Sequence, residues 1–190
     1  MSEKFFDVYI DFGSSKIIAT AFNKKNKKSF SVSSKCFSSF KSTQLNFKDS
    51  KIVLEKLILE IEKKTGEYLN SINLMIDSPE VLSIGVSLSK KNDGKKIRKS
   101  DIQYLIQDAK QQVIKFHPNK NIIHIIASNY KVDNNNFDYP PIDVECNFFV
   151  IDIIFICYPK ELIKNLESLF YENQININQV LSSSYAKSLN

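Results

Sequence analysis

The run Val8-Tyr9-Ile10-Asp11-Phe12-Gly13-Ser14-Ser15-Lys16-Ile17-Ile18-Ala19 puts an acid at the end of an apolar strand. A glycine-serine turn follows, and then a second apolar strand. These residue types at this spacing suit a phosphate. A strand-end carboxylate such as Asp11 can hold a hydrated Mg²⁺. Gly13 lets the backbone approach an anion, and the amides and hydroxyls of Ser14 and Ser15 can wrap it. Lys16 offers a point charge within reach of the same group. Taken alone, the same residues also describe a plain hairpin that turns on Gly-Ser beside a capping acid, with Lys16 facing solvent.

Other chemistry-bearing residues are scattered. His124 stands between isoleucines with no second histidine or acid at ligand spacing, which reads as a packed or hydrogen-bonded strand histidine. His117 precedes Pro118 at a helix end, where contact with the last carbonyls explains it. Asp152, amid Phe149, Ile151, Ile153 and Ile154, reads as an acid on the exposed face of a strand. The three cysteines, Cys36, Cys146 and Cys157, have no Cys-x-x-Cys spacing, so no zinc site is expected, and scattered thiols suit a reducing cytoplasm. No Ser-His-Asp, Cys-His or paired-carboxylate arrangement emerges, and catalysis by this chain alone is not expected.

Composition is that of an ordinary globular protein: 190 residues, 43% hydrophobic and 25% charged, with a formal net charge of +5. The excess of lysine gathers at Lys24, Lys25, Lys27 and Lys28, and again at Lys90, Lys91, Lys95, Lys96, Arg98 and Lys99. Both clusters lie among Asn, Ser, Gly and Asp. They read as solvated hairpin tips rather than as a nucleic-acid or lipid surface. The longest apolar run, 148–157, is too short to span a bilayer and contains Asp152.

The elements that must position these residues fall into two patterns. Strands over 5–11, 16–22 and 29–37 are followed by a helix over 50–64, with the stripe Leu54, Leu57, Ile58, Ile61 and a stop at Gly66, and by a strand over 71–77. Next come a strand over 81–88 and a helix capped by Ser100 with Gln103, its stripe formed by Ile102, Leu105, Ile106, Ala109 and Val113. Two long strands over 122–132 and 144–157 complete this stretch, joined by the polar loop 133–143. Pro159 opens a further helix, and a strand over 175–181 and a short helix over 182–189 close the chain. The expected fold is mixed α/β: a ribonuclease H-like, actin-type subdomain (1–80 and 159–190) interrupted by a strand-helix-strand-strand subdomain (81–158).

Four stretches in this order resemble the FtsA family of bacterial cell-division proteins, which are actin-like ATPases. Ile10-Asp11-Phe12-Gly13-Ser14-Ser15-Lys16 is similar to the family's first phosphate motif. Ile72-Asn73-Leu74-Met75-Ile76 is similar to the strand before its inserted subdomain. Ile123-His124-Ile125-Ile126-Ala127-Ser128-Asn129-Tyr130-Lys131-Val132-Asp133 resembles its His-x-Ile-Pro-x-x-Tyr-x-Val-Asp strand, with Ala127 in place of proline. Val180-Leu181-Ser182-Ser183-Ser184-Tyr185-Ala186 is similar to the helix start of the returning segment, with Ser182-Ser183 in place of a Glu-Pro pair. Asp77-Ser78-Pro79 likewise replaces a Ser-Gly turn. PilM-type pilus-assembly proteins share the insertion.

The resemblance covers the first half of a typical family member. It implies ATP and Mg²⁺ as cofactors of the complete protein, with Asp11, Gly13, Ser14, Ser15 and Lys16 at the phosphates and metal. It also implies contacts of the inserted subdomain with later divisome proteins and with a neighbouring protomer; in this sequence Lys95, Lys96 and Arg98, with Phe137 and Tyr139 of the loop 133–143, are the candidates to line such a surface, or else both segments are loops without a partner. FtsZ binding, the second actin-like lobe and an amphipathic membrane helix belong to the remainder of a family member. The chain is then either a piece of a longer protein or a shortened relative. It would act in the cytoplasm, at the inner-membrane face of the division site, and touch membrane only indirectly. The rivals are a PilM-like pilus scaffold and a kinase of the same superfamily.

Overall fold

A computed structural model describes residues 5–13, 16–35 and 47–189. Contacts divide the chain into two units, one of residues 1–80 and 161–190, the other of 81–160.

In the first unit, β1 (Phe6–Gly13), β2 (Lys16–Asn23) and β3 (Ser29–Lys35) form an antiparallel meander. The helix α1 (Phe47–Thr65) leads to β4 (Ser71–Asp77), which pairs parallel to β1. The returning segment adds α3 (Lys160–Glu172), β9 (Asn176–Ser182) and α4 (Ser183–Ser188), and β9 pairs parallel to β4. The strand order β3-β2-β1-β4-β9 is the ribonuclease H-like, actin-type order.

Alternation decides the faces. Val8, Ile10 and Phe12 of β1, Ile17, Ala19 and Ala21 of β2, and Ile72, Leu74 and Ile76 of β4 are buried. The α1 stripe of Leu54, Leu57, Ile58 and Ile61 is buried as its 3.6-residue period requires, and the helix packs on β2 and β3. Gly66 ends α1 at φ 70°, a left-handed position where a side chain would be strained.

The second unit is a four-stranded antiparallel sheet in the order β5-β8-β6-β7, built from β5 (Leu82–Lys91), β6 (Lys120–Val132), β7 (Asn135–Phe137) and β8 (Phe148–Pro159). The helix α2 (Lys99–Phe116) packs on β5 and β8. Ile102, Leu105, Ala109 and Val113 meet Phe149, Ile151, Ile153, Phe155 and Cys157, every second residue of the central strand.

Four details differ from the sequence expectation. The N-cap of α2 is Arg98, not Ser100: the Arg98 backbone N–H donates to Asp101 at 2.9 Å, so an acid at the third helical position does the capping. The strand expected from residue 144 begins at Phe148, because 143–146 pairs instead with 94–97 through Ile97 N–H to Val144 O, Asp143 N–H to Ile97 O and a Lys96–Glu145 bridge. The loop 133–143 contains β7, which the β6 hairpin forms through Tyr130–Phe137 pairing. Pro159 ends β8 instead of opening α3.

Asp101 is the most constrained charge in this unit, its side chain 6% exposed. The Lys90 ammonium donates to it and, against the cost of burial, holds its carboxyl down at about 2, with the Arg98 N–H adding to the effect. A carboxylate held below its unfolded value stabilises the fold above about pH 4 and loses that contribution as pH falls toward 2, here about 2 kcal/mol. Urea unfolding of the wild type should therefore weaken between those limits by about that amount more than unfolding of Asp101→Asn, which should also be less stable at neutral pH by roughly 2 kcal/mol. Parallel pH profiles for the two proteins would remove Asp101 from this role.

Candidate functional site

The carboxyl ends of the parallel strands gather the polar residues of the first unit. Register places Gly13 beside Asp77, Asp11 beside Met75, and Ile76 beside Ser182. Asp11 therefore lies at the corner where the chain returns, and the Ser183 hydroxyl, fully buried, donates to its Oδ1 at 2.6 Å. The carboxyl ends of strands in open α/β sheets are where ligands bind, because loops there carry polar groups over an otherwise apolar frame.

Pairing of β1, β2 and β3 sets Lys16 opposite Lys35, on the face of the sheet that carries Asp11 and away from the α1 core. Two like charges directly opposite repel, and an anion held between them would relieve that cost. Gly13 answers a local need: a Cβ there would sit 3.0 Å from the Lys16 carbonyl oxygen, tight enough that the hairpin backbone would have to give by a few tenths of an ångström. Asp77 and Lys187 make an exposed ion pair at 3.6 Å beside the same corner. Ser14 and Ser15 lie outside the described residues.

This donor set fits a hydrated cation and a phosphate. One Asp11 oxygen is fixed by Ser183, no partner for Oδ2 is found among the described residues, and two lysines flank the turn. Sequence reasoning missed Lys35, Asp77, Ser183 and Lys187. The signal for Ser183 was present only as a departure from a family pattern, and Lys35 becomes visible only once the three-strand register is known.

In the second unit, Lys95, Lys96 and Arg98 are exposed, and Arg98 Nε donates to Asp101 at 3.4 Å. Phe137 is half-buried and meets exposed Tyr139 edge-on, with ring centroids 5.8 Å apart. The backbone pairing of 94–97 with 143–146 joins the basic segment to the end of the aromatic loop. On the sheet face away from α2, Asp152 accepts from Ser87 Oγ and, at 3.1 Å, from Asn129 Nδ2. These bonds hold its carboxyl below the usual range against the opposing effect of burial. His124, half-buried, is pushed down by burial. Burial raises the thiols of Cys146 and Cys157, which keeps them protonated and unreactive. Cys36 lies outside the described residues. Among the described residues no group of His, Cys, Asp and Glu is arranged to hold a metal directly, and no helix is long and apolar enough to cross a membrane.

The bond from Ser183 to Asp11 spans 172 positions of sequence. Ser183→Ala should lower the urea stability of the first unit by roughly 1–2 kcal/mol, since a hydroxyl bonded to a carboxylate is lost from a buried position. An unchanged unfolding midpoint would show that the contact contributes nothing.

Residues 80–156 match the family described as the SHS2 domain inserted in FTSA. No curated protein matches the sequence. Among solved structures, a chain of the PilM–PilN type IV pilus biogenesis complex aligns with TM-score 0.60 at 8% identity, over 95% of this chain and 48% of that one. The cytoplasmic domain of EpsL, an inner-membrane component of the type II secretion system of Vibrio cholerae, aligns with TM-score 0.41 at 9% identity, over 93% of this chain and 55% of that one. A Bacteroides thetaiotaomicron protein with actin-like ATPase fold and unknown function gives TM-score 0.41 at 15% identity, over 95% and 53%. The chain thus spans about half the length of the solved structures it matches. The stretch that matches the SHS2 domain inserted in FtsA, residues 80–156, lies between β4 and α3 in chain order.

Proposed function

We propose that the protein is an adaptor of bacterial cell division, the N-terminal part of an FtsA-like protein that works through protein–protein contacts at the cytoplasmic face of the septum. The observation that carries this reading is the SHS2 match at residues 80–156, set between the fourth strand and the returning helix of an actin-type sheet. In this reading the second unit is the partner-binding module. Lys95, Lys96, Arg98, Phe137 and Tyr139 line its surface, and the partners are divisome proteins, with FtsZ engaged by the complete protein.

The Asp11 corner is then one side of a nucleotide clasp. Asp11 would hold a hydrated Mg²⁺ in the complete protein. Gly13, Ser14, Ser15 and Lys16 would face the phosphates of ATP, with Lys35 adding positive charge. The bond from Ser183 supports this role by fixing one carboxylate oxygen in place.

A second reading is a PilM-like pilus-assembly scaffold, in keeping with the fold shared with the PilM chain. Depletion of the protein in its own cells separates the two. The division reading expects cells that elongate into filaments with the fluorescently tagged protein at mid-cell. Normal division with loss of surface pili would overturn it in favour of the scaffold.

A further inference from the structure

The turn between β2 and β3, whose lysines read from the sequence as a solvated tip, has features that solvation does not call for. Lys24, Lys25, Lys27 and Lys28 are all exposed within residues 23–28. Like charges so close repel one another, and the turn does not need them. Two asparagines close it. Asn23 Oδ1 accepts from the N–H groups of Lys25 at 2.9 Å and Asn26 at 3.1 Å, and Asn26 Oδ1 accepts from the Lys28 N–H at 3.0 Å. The Asn23 N–H donates to the Lys28 carbonyl at 2.8 Å. Lys27 stands at φ 60°, in the left-handed region that glycine or asparagine occupies at less cost. Lysine is kept here against both electrostatics and backbone preference.

Phenylalanines surround the same tip. Register brings the starts of β1 and β3 to it, with Phe6 opposite Asn23 and Phe22 opposite Ser29. The Lys24 N–H donates to the Phe5 carbonyl at 3.0 Å, and Phe5 and Phe30 are 41% and 37% exposed. Lys25 Nζ lies 4.3 Å from the centre of the Phe5 ring, and Lys27 Nζ lies 5.7 Å from that of Phe22. The Phe6 and Phe30 rings pack on each other with centroids 6.1 Å apart. Two carboxylates touch the tip: Asp7 pairs with Lys24 at 2.9 Å, and Glu67 accepts from the Phe5 N–H at 3.2 Å. Lys25, Lys27 and Lys28 have no carboxylate partner among the described residues.

We propose that this tip, Lys24, Lys25, Lys27 and Lys28 with Phe5 and Phe30, is a docking surface for an anionic phospholipid membrane. Charge complementarity selects the occupant. A negative lipid surface relieves the repulsion among the four ammonium groups, and lysine, a hydrated point charge on a flexible stem, suits its diffuse potential. The arrangement favours lipid over nucleic acid in two ways. A site for a nucleic-acid strand spreads its charges along a groove and offers open ring faces for stacking. Here the charges gather on a single turn, Lys25 covers a face of Phe5, and Phe30 packs against Phe6. What remains exposed of Phe5 and Phe30 can enter the headgroup boundary while the lysines meet the phosphates. The tip lies at the amino-terminal end of β1, and Asp11 lies toward the other end, so the two are distinct sites.

Flotation of the 190-residue chain with lipid vesicles tests this. The chain should float with vesicles of equal parts phosphatidylglycerol and phosphatidylcholine at low salt, detach as salt rises, and ignore pure phosphatidylcholine. Lys25→Gln/Lys27→Gln/Lys28→Gln should lower vesicle affinity about a hundredfold, at roughly fivefold per lysine, without lowering the thermal unfolding midpoint. Lys115→Gln/Lys131→Gln/Lys164→Gln removes as much charge from exposed positions elsewhere and should bind nearly as the wild type does. Phe5→Ala keeps the backbone bond to Lys24 and should weaken binding severalfold without changing its salt dependence. No flotation on the anionic vesicles, equal binding to the neutral ones, or equal losses in the two triple variants would each overturn the proposal. Binding of a mixed-sequence single-stranded RNA that the tip variant abolishes, with vesicles left unbound, would assign the tip to nucleic acid instead.

Discussion

The first unit depends on β4 having a parallel neighbour on each side. Parallel strands cannot be joined by a tight turn and need a crossover. Between β4 and β9 that crossover contains the whole second unit as well as α3. The chain must therefore leave the sheet at Asp77 and come back in the register that sets Ile76 beside Ser182. That return brings the Ser183 hydroxyl to the Asp11 carboxylate, so this polar corner exists only once the two distant segments have met.

The second unit is organised around one strand. β8 has a neighbour on both sides, and alternate residues from Phe149 to Cys157 are fully buried against α2 and its surroundings. Its other face carries Asp152 among half-buried isoleucines, with Ser87 and Asn129 supplying the hydrogen bonds that make the acid tolerable there. Asp101 solves a similar problem at the start of α2, serving at once as ion-pair partner to Lys90 and as acceptor for the N-cap amide. In both cases hydrogen bonds from neighbouring donors offset the cost of burying a carboxylate.

Much of this was legible in the sequence. The alternation of Val8-Tyr9-Ile10-Asp11 and the helical period of Leu54, Leu57, Ile58 and Ile61 specify both element and buried face, because one side of each must meet the core. The short β7 was hidden because Asn135-Asn136-Phe137 has no alternation of its own and becomes a strand only through the turn at Asp133, whose φ is 48° and whose carboxylate accepts from the backbone of Asn147 and Phe148. The Ser100 cap misled because serine is a common first choice, while in the structure Asp101 accepts both from the Arg98 N–H and from Lys90 of β5. The Asp11 side of the candidate site could be read locally. Ser183, Asp77 and Lys35 could not, since each reaches that corner through register with a strand distant in sequence.

The most direct test of an adaptor that works by contact is titration calorimetry of the 190-residue chain with Mg·ATP. In the proposed reading Asp11, Gly13 and Lys16 would supply one side of a clasp, so the account predicts no saturable heat from these 190 residues. Saturable micromolar binding that disappears in Asp11→Asn would contradict it and make nucleotide binding, not partner contact, the property of these residues.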